Sequence, residues 1–218
     1  MPGTYVSWKT PFALKMHRVA KFKQRAVLLG SSAPQGMPGV GNGACIGLVF
    51  AWLRRRLQQP TEAPKARAEH LCQEDTLYKV DVDCSSFNGG YRHAGSRVDR
   101  LLRAAPNICG MSGRSAVEAQ GKDGLATLVA HLDETLPGYY ILEFTYEEVP
   151  VSHGCALYVD ENGMSFFDPN SGEYRIGHRG KLAFFQQLYN HYRNYVSSEG
   201  VKAERTIDAL FLVQFGRM

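Results

Sequence analysis

Residues 44–57, ACIGLVFAWLRRRL, are apolar on most faces until three consecutive arginines. That pattern predicts a helix buried along most of its length, with its C-terminal end reaching solvent at Arg54–Arg56. The arginines also suit the negative end of the helix dipole. The preceding stretch, 31–43, is rich in glycine and proline and reads as a loop. Residues 58–95 are polar and irregular, with Pro60 and Pro64, and predict a mixture of surface loop and short helix. Residues 96–105 and 122–136 have helical spacing. After Pro137 and Gly138 the period shortens. Segments 139–146, 151–160, 164–168 and 209–215 carry the aromatic and branched residues of strands. Asn162-Gly163 between two of them predicts a tight hairpin turn. Residues 181–196 then form an amphipathic helix. Helices first and an antiparallel sheet afterwards make an α+β fold.

At 218 residues the chain suits one domain, and 44% hydrophobic with 21% charged residues is the balance of a protein with a real core. No apolar run approaches the roughly 18 residues of a membrane span. The N-terminal residues lack the compact apolar stretch and small-residue cleavage site of a signal peptide. The net charge of +4 is unevenly spread. Residues 1–30 hold Lys9, Lys15, Arg18, Lys21, Lys23 and Arg25 without an acidic residue. They read as a basic leader ahead of a domain at 31–218: a mobile solvated segment, a delivery signal, or a contact for an anionic membrane surface. No RNA-binding signature or regular basic stripe accompanies them, so no nucleic-acid partner is expected.

Five cysteines, Cys45, Cys72, Cys84, Cys109 and Cys155, form no CxxC pair. Neither a zinc ribbon nor a thioredoxin site is indicated, and no metal or cofactor site is read. Free thiols in a reducing compartment are the simplest account. Cys45 alone follows a glycine-rich loop and opens a buried helix. There the first-turn N–H groups and the positive dipole end stabilise a thiolate. The competing reading is a small buried hydrophobe, the usual fate of a free cysteine. His153 starts a predicted strand and is followed by a glycine and core residues, which suits a rigidly held ring or a satisfied core histidine. Asp168 ends the hairpin partner of that strand. Pairing about the Asn-Gly turn brings it beside His153, where a carboxylate fixes the imidazole tautomer. Asp168-Pro-Asn170 also has the composition of a simple turn.

Two blocks carry a resemblance. His153-Gly-Cys-Ala-Leu-Tyr-Val159 with Ser165-Phe-Phe-Asp-Pro-Asn-Ser-Gly-Glu-Tyr174 resembles the His and Asp motifs of YopT-type (AvrPphB-like) effector proteases. Asn42-Gly-Ala-Cys-Ile-Gly-Leu-Val-Phe-Ala-Trp52 resembles their nucleophile motif, with the same order of Cys, His and Asp. The resemblance implies a papain-like fold, a helical half carrying Cys45 packed on a sheet carrying His153 and Asp168. It implies a cysteine endopeptidase that cuts a host protein, such as a small GTPase or a kinase, after delivery by a bacterial secretion system. It also implies a polar side chain before the cysteine to complete an oxyanion hole with the Cys45 N–H. Asn42 is the candidate and Gln35 the runner-up.

Other motifs fail on spacing. Gly36 to Gly41 is not followed by Lys and Ser/Thr, so it is no P-loop. Asp81 and Asp83 do not continue into a calcium loop. The Tyr189, Tyr192, Tyr195 series reads as packing. The residues alone leave two further functions open. The same triad attacking a glutamine side chain gives a deamidase or transglutaminase, and a chain that kept only the fold would be a non-catalytic binding module.

Overall fold

The computed structural model describes residues 12–24, 27, 44–90, 93, 95–147, 152–196 and 202–218. Its elements in chain order are α1 (Phe12–Lys15), β1 (Arg18–Lys21), α2 (Ala44–Gln58), α3 (Pro64–His70), α4 (Glu74–Gly90), α5 (Arg97–Cys109) and β2 (Met111–Ala119). There follow α6 (Leu125–Glu134), β3 (Gly138–Tyr146), β4 (Ser152–Asp160), β5 (Gly163–Asp168), β6 (Gly172–Ile176), α7 (Lys181–Arg193), β7 (Asn194–Val196), β8 (Lys202–Glu204) and β9 (Ile207–Arg217). Seven strands form one antiparallel sheet in the order β1-β6-β5-β4-β3-β9-β2, and β7 pairs with β8 separately.

The sheet is covered on both faces because its central strands are apolar at both parities. Ile141, Ala156, Phe167 and Val213 face one core, shared with Trp52 and Phe50 of α2, Phe87 of α4 and Leu101 of α5. Leu142, Phe144, Leu157, Phe166 and Leu212 face the other, shared with Leu128 of α6 and Phe184, Leu188 and Tyr192 of α7. This is the expected α+β architecture, a helical half against an antiparallel sheet.

Two expectations are corrected. Residues 58–95 are not irregular but hold two helices. Pro64 sits at the first helical position of α3, where its missing N–H costs nothing. Leu77, Val80, Cys84 and Phe87 bury one helical stripe of α4, which the flanking polar residues and Gly89-Gly90 disguise. The strands also do not all follow the helices, since both edges of the sheet, β1 and β2, precede α6 in the chain, and β1 precedes α2 as well. β2 is an exposed strand of small and polar residues whose extended form is set by its pairing with β9.

The described part of the basic 1–30 segment belongs to the domain rather than to a leader. β1 pairs with β6, and Leu14, Ala20 and Phe22 are buried. Lys15, Lys21 and Lys23 stay exposed around them.

The turn at 161–162 closes with Asp160 opposite Gly163, and the register runs back through Leu157↔Phe166 and Ala156↔Phe167. Continued by one step it sets Asp168 level with Cys155, one same-face position from His153. Strand pleating therefore delivers the carboxylate and the imidazole to the same face at the same end of the sheet.

Candidate active site

Cys45 is the second residue of α2, so its sulfur sits at the helix end where N–H groups lack intrahelical partners. α2 lies along β4, with Ile46 and Val49 bounding the space over Gly154. The thiol hydrogen-bonds with His153 and is approached by the Gly154 N–H. On the other side of the ring, His153 Nε2 lies 3.0 Å from Asp168 Oδ1. With Nε2 taken by the carboxylate, Nδ1 is the nitrogen left for sulfur. The three side chains that the sequence singles out are therefore brought together, and all are buried. Asn42 and Gln35 lie outside the described residues.

Burial pushes the Cys45 thiol up, but the hydrogen bond to His153, its charge and the Gly154 N–H outweigh that and hold the thiol below its ordinary value. Glu143, buried on β3 opposite Gly154, works the other way. It is held by Arg97 and by Ser152 Oγ at 2.7 Å. Burial likewise opposes charge on His153; the Cys155 thiol, Asp168 and Cys45 push its pKa back well above the usual histidine range. Cys155 is itself pushed up to about 12, chiefly by burial. It is neutral near pH 7, so the anions that the imidazolium answers to there are Asp168 and the Cys45 thiolate. Asp168 loses from burial and gains more from the His153 hydrogen bond and charge, which hold it below the usual carboxylate range.

Asp168 also organises its own turn. Oδ1 accepts from the Asn170 N–H at 2.9 Å, and Oδ2 accepts from the Ser171 hydroxyl and from Tyr192 OH at 2.8 Å. Ser171 Oγ accepts in turn from Tyr174 OH at 2.7 Å. The turn reading and the carboxylate reading of Asp168-Pro-Asn170 both hold. Gly172, which follows, has φ +125, and a Cβ there would lie 2.1 Å from the Ala20 carbonyl oxygen. Only glycine lets the chain leave this turn under β1.

Tyr192 plays a part that its spacing on an amphipathic helix did not reveal. Its ring stacks on the His153 imidazole with centroids 4.6 Å apart, and its hydroxyl holds Asp168. Tyr192→Phe keeps the stack and deletes one donor to a buried carboxylate. The expected result is a fall in kcat of roughly tenfold and a loss of stability of about 1.5–3 kcal/mol. The acid limb of the pH profile moves to higher pH because a less firmly held Asp168 supports the His153 charge less, and the thiol then ionises later. Steady-state rates across pH and a urea melt check both.

His153, Cys155 and Asp168 offer ligand atoms within 4.8 Å of one another. Their chemistry suits proton handling better than a metal. The Asp168 oxygens already accept from four donors, and Cys155 stays a neutral thiol.

A second cluster fixes α2 to the sheet. Trp52 Nε1 donates to Glu173 Oε2 at 2.8 Å, and Arg67 donates to both Glu173 oxygens at 3.0 Å. The Trp52 ring stacks on Phe167 with centroids 5.9 Å apart and planes 3° from parallel. The tryptophan of the nucleophile motif thus meets the Glu of the aspartate motif.

Comparison with known proteins gives three similarities. Residues 96–199 match a peptidase family model described as Yersinia/Haemophilus virulence surface antigen. That match includes His153 and Asp168 and stops short of Cys45. The cysteine protease yopT1 of Yersinia enterocolitica is 26% identical over 170 residues, which cover 69% of this chain and 52% of that protein. The chain thus spans about half the length of this curated relative. The crystal structure of the Pseudomonas avirulence protein AvrPphB superposes with a TM-score of 0.67 at 18% identity, covering 93% of this chain and 99% of that one. The shared fold is papain-like. Family model, relative and fold thus make this chain similar to the YopT/AvrPphB type of cysteine peptidase.

Proposed function

We propose that the protein is an endopeptidase in which Cys45 is the nucleophile, His153 its acid and base, and Asp168 the group that orients and charges the histidine. The observation that carries this reading is the hydrogen-bonded line from Cys45 through the His153 ring to Asp168, with the last link at 3.0 Å. The Cys45 thiolate adds to a peptide carbonyl carbon, forming a C–S bond. The developing oxyanion meets the Cys45 backbone N–H and a side chain of the preceding loop, Asn42 first and Gln35 second. The C–N bond then breaks as Nδ1 gives its proton to the leaving amine. Water, losing a proton to the same nitrogen, hydrolyses the thioester and frees the thiol. The likeness to a bacterial cysteine protease and an avirulence protein supports a host protein as substrate, of the small GTPase or kinase type, met after delivery by a secretion system. No described helix is long and apolar enough to cross a membrane. The exposed Lys15, Lys21 and Lys23 are the residues of the basic segment that would meet an anionic membrane surface.

The test compares new protein N-termini in host cells expressing the wild-type chain or Cys45→Ala. Termini that appear with the wild type and vanish with the variant are the expected result. Equal termini in both, or conversion of glutamine to glutamate without any fragment, would rule out proteolysis by Cys45.

A further inference from the structure

At the end of the sheet remote from Cys45, β3 begins, β4 and β9 finish, and the last turn of α2 closes over them. Arg56 lies there, about 16 Å along the helix axis from Cys45. A cavity of about 350 Å³ opens at this end, lined by Tyr139, Tyr158, Phe215, Gly216, Arg114 and Arg217. The three aromatic residues are cross-strand neighbours, Tyr158 beside Tyr139 and Tyr139 beside Phe215. The arginines are placed by particular devices. Arg114 is the extra residue of a bulge, since the register steps from Gly113↔Phe215 to Ser115↔Gln214. A bulge re-aims its side chain. The Arg114 guanidinium lies against the Gly216 backbone, where a Cβ would come within 2.1 Å of Nε. Only the absence of a side chain at 216 lets it stay.

Neither Arg114 nor Arg217 has a carboxylate partner among the described residues. Arg56 is nine-tenths buried and stacks 4.7 Å over Tyr158, with no hydrogen-bond partner for its Nε among the described residues. Asp160 acts on Tyr158 from the same strand. Arg56 Nη1 donates to the Pro60 carbonyl, which leaves Arg114 and Arg217 as the two guanidinium forks without a carboxylate partner that line this aromatic recess, a setting that suits a carboxylate or phosphate.

From this arrangement we infer that the cavity is a secondary binding site for the protein substrate, taking an anionic side chain, carboxylate or phosphate, carried on an extended segment. The inference rests on the peptidase reading of Cys45. A peptide fits better than a lipid surface for two reasons. The site is a recess of about 350 Å³, whereas a membrane is met by cations on a convex face. It also opens beside β2, the terminal strand, whose outer edge pairs with no strand among the described residues. Such an edge can accept an added strand.

The test uses the full-length Cys45→Ala chain and fluorescent hexapeptides Gly-Ser-X-X-Ser-Gly, with X as glutamate, phosphoserine or alanine. Glutamate and phosphoserine peptides should bind at least roughly tenfold tighter than the alanine peptide. The double change Arg114→Ala/Arg217→Ala should erase that difference, and Arg114→Lys/Arg217→Lys, which keeps charge without the fork, should erase part of it. An unchanged melting temperature reports that the variants fold. Equal binding of the three peptides, or binding indifferent to the arginines, overturns the inference. So does binding of phosphatidylserine vesicles in place of the peptides, or displacement by inorganic phosphate as effective as by the phosphopeptide. Acidic-peptide binding by a protein that cleaves nothing would sink the peptidase reading and leave the pocket; cleavage without acidic-peptide binding would sink the pocket alone.

Discussion

His153→Ala is expected to lower kcat/KM by a factor of about 1000 or more and to move the alkylation midpoint of Cys45 upward in pH. The two effects have one cause. In the wild type burial raises the thiol pKa and the His153 ring more than reverses it, so the midpoint lies below the ordinary 9.0. Without the ring, only the Gly154 N–H is left to oppose burial, and the midpoint rises. The sign of the wild-type profile follows. Activity rises with pH as the lowered thiol ionises, holds while thiolate and imidazolium coexist, and falls as pH passes the raised pKa of His153. Asp168→Asn should cut turnover and move the alkylation midpoint upward by less than His153→Ala does, because an amide keeps the ring in place but no longer supports its charge. Initial rates of iodoacetamide alkylation across pH, beside kcat/KM on the same samples, provide the measurement. A midpoint that His153→Ala leaves in place would mean that the ring does not tune the sulfur.

Much of this site is legible in the sequence because its geometry is local to one hairpin. The Asn162-Gly163 turn sets the register of β4 on β5, and the register alone brings Asp168 to within one same-face step of His153. Cys45 is legible for a different reason: few thiols stand between a glycine-rich loop and a buried helix. What escapes is what only packing decides. Tyr192 belongs to the aromatic series on an amphipathic helix, and nothing in that spacing says that one ring roofs the histidine while its hydroxyl grips the aspartate. Cys155 shares the parity of His153, but its place beside the ring depends on how α7 covers that face. β1 reads as leader because four residues with two basic ones carry no strand signal; pairing with β6 makes them a strand. β2 is hidden in the same way. The carriers of these features stand in plain view, and Ser171, Glu173 and Tyr174 all lie within the aspartate block. Their roles depend on partners far off in the chain.

Glu173→Ala is expected to cost about 3–5 kcal/mol, because it leaves the buried Arg67 guanidinium with only the longer contact from Nη1 to Glu62, at 3.9 Å. The Arg67 and Glu173 side chains are 1% and 3% exposed, so water cannot replace the lost partner. Trp52 Nε1 loses its acceptor as well. Against a typical total of about 5–15 kcal/mol the loss is large, and a fall in Tm on the order of 10 °C accompanies it. The consequence reaches the chemistry through geometry. Trp52 lies two turns after Cys45 on one rigid helix, and Glu173 lies on β6, next to the strand that carries Asp168. The ion pair therefore ties the sulfur half of the site to the carboxylate half, and its removal should lower kcat in the protein that remains folded. Replacing both charges, Arg67→Met with Glu173→Leu, should recover most of the stability, since an apolar pair of similar volume leaves no buried charge unpaired. It should recover less of the rate, because the directional hold on Trp52 is gone. Urea melts of the single and double variants, with kcat measured well below each midpoint, separate the two effects. A loss under about 1 kcal/mol for Glu173→Ala would mean that water reaches Arg67 and that α2 is held by its apolar contacts alone.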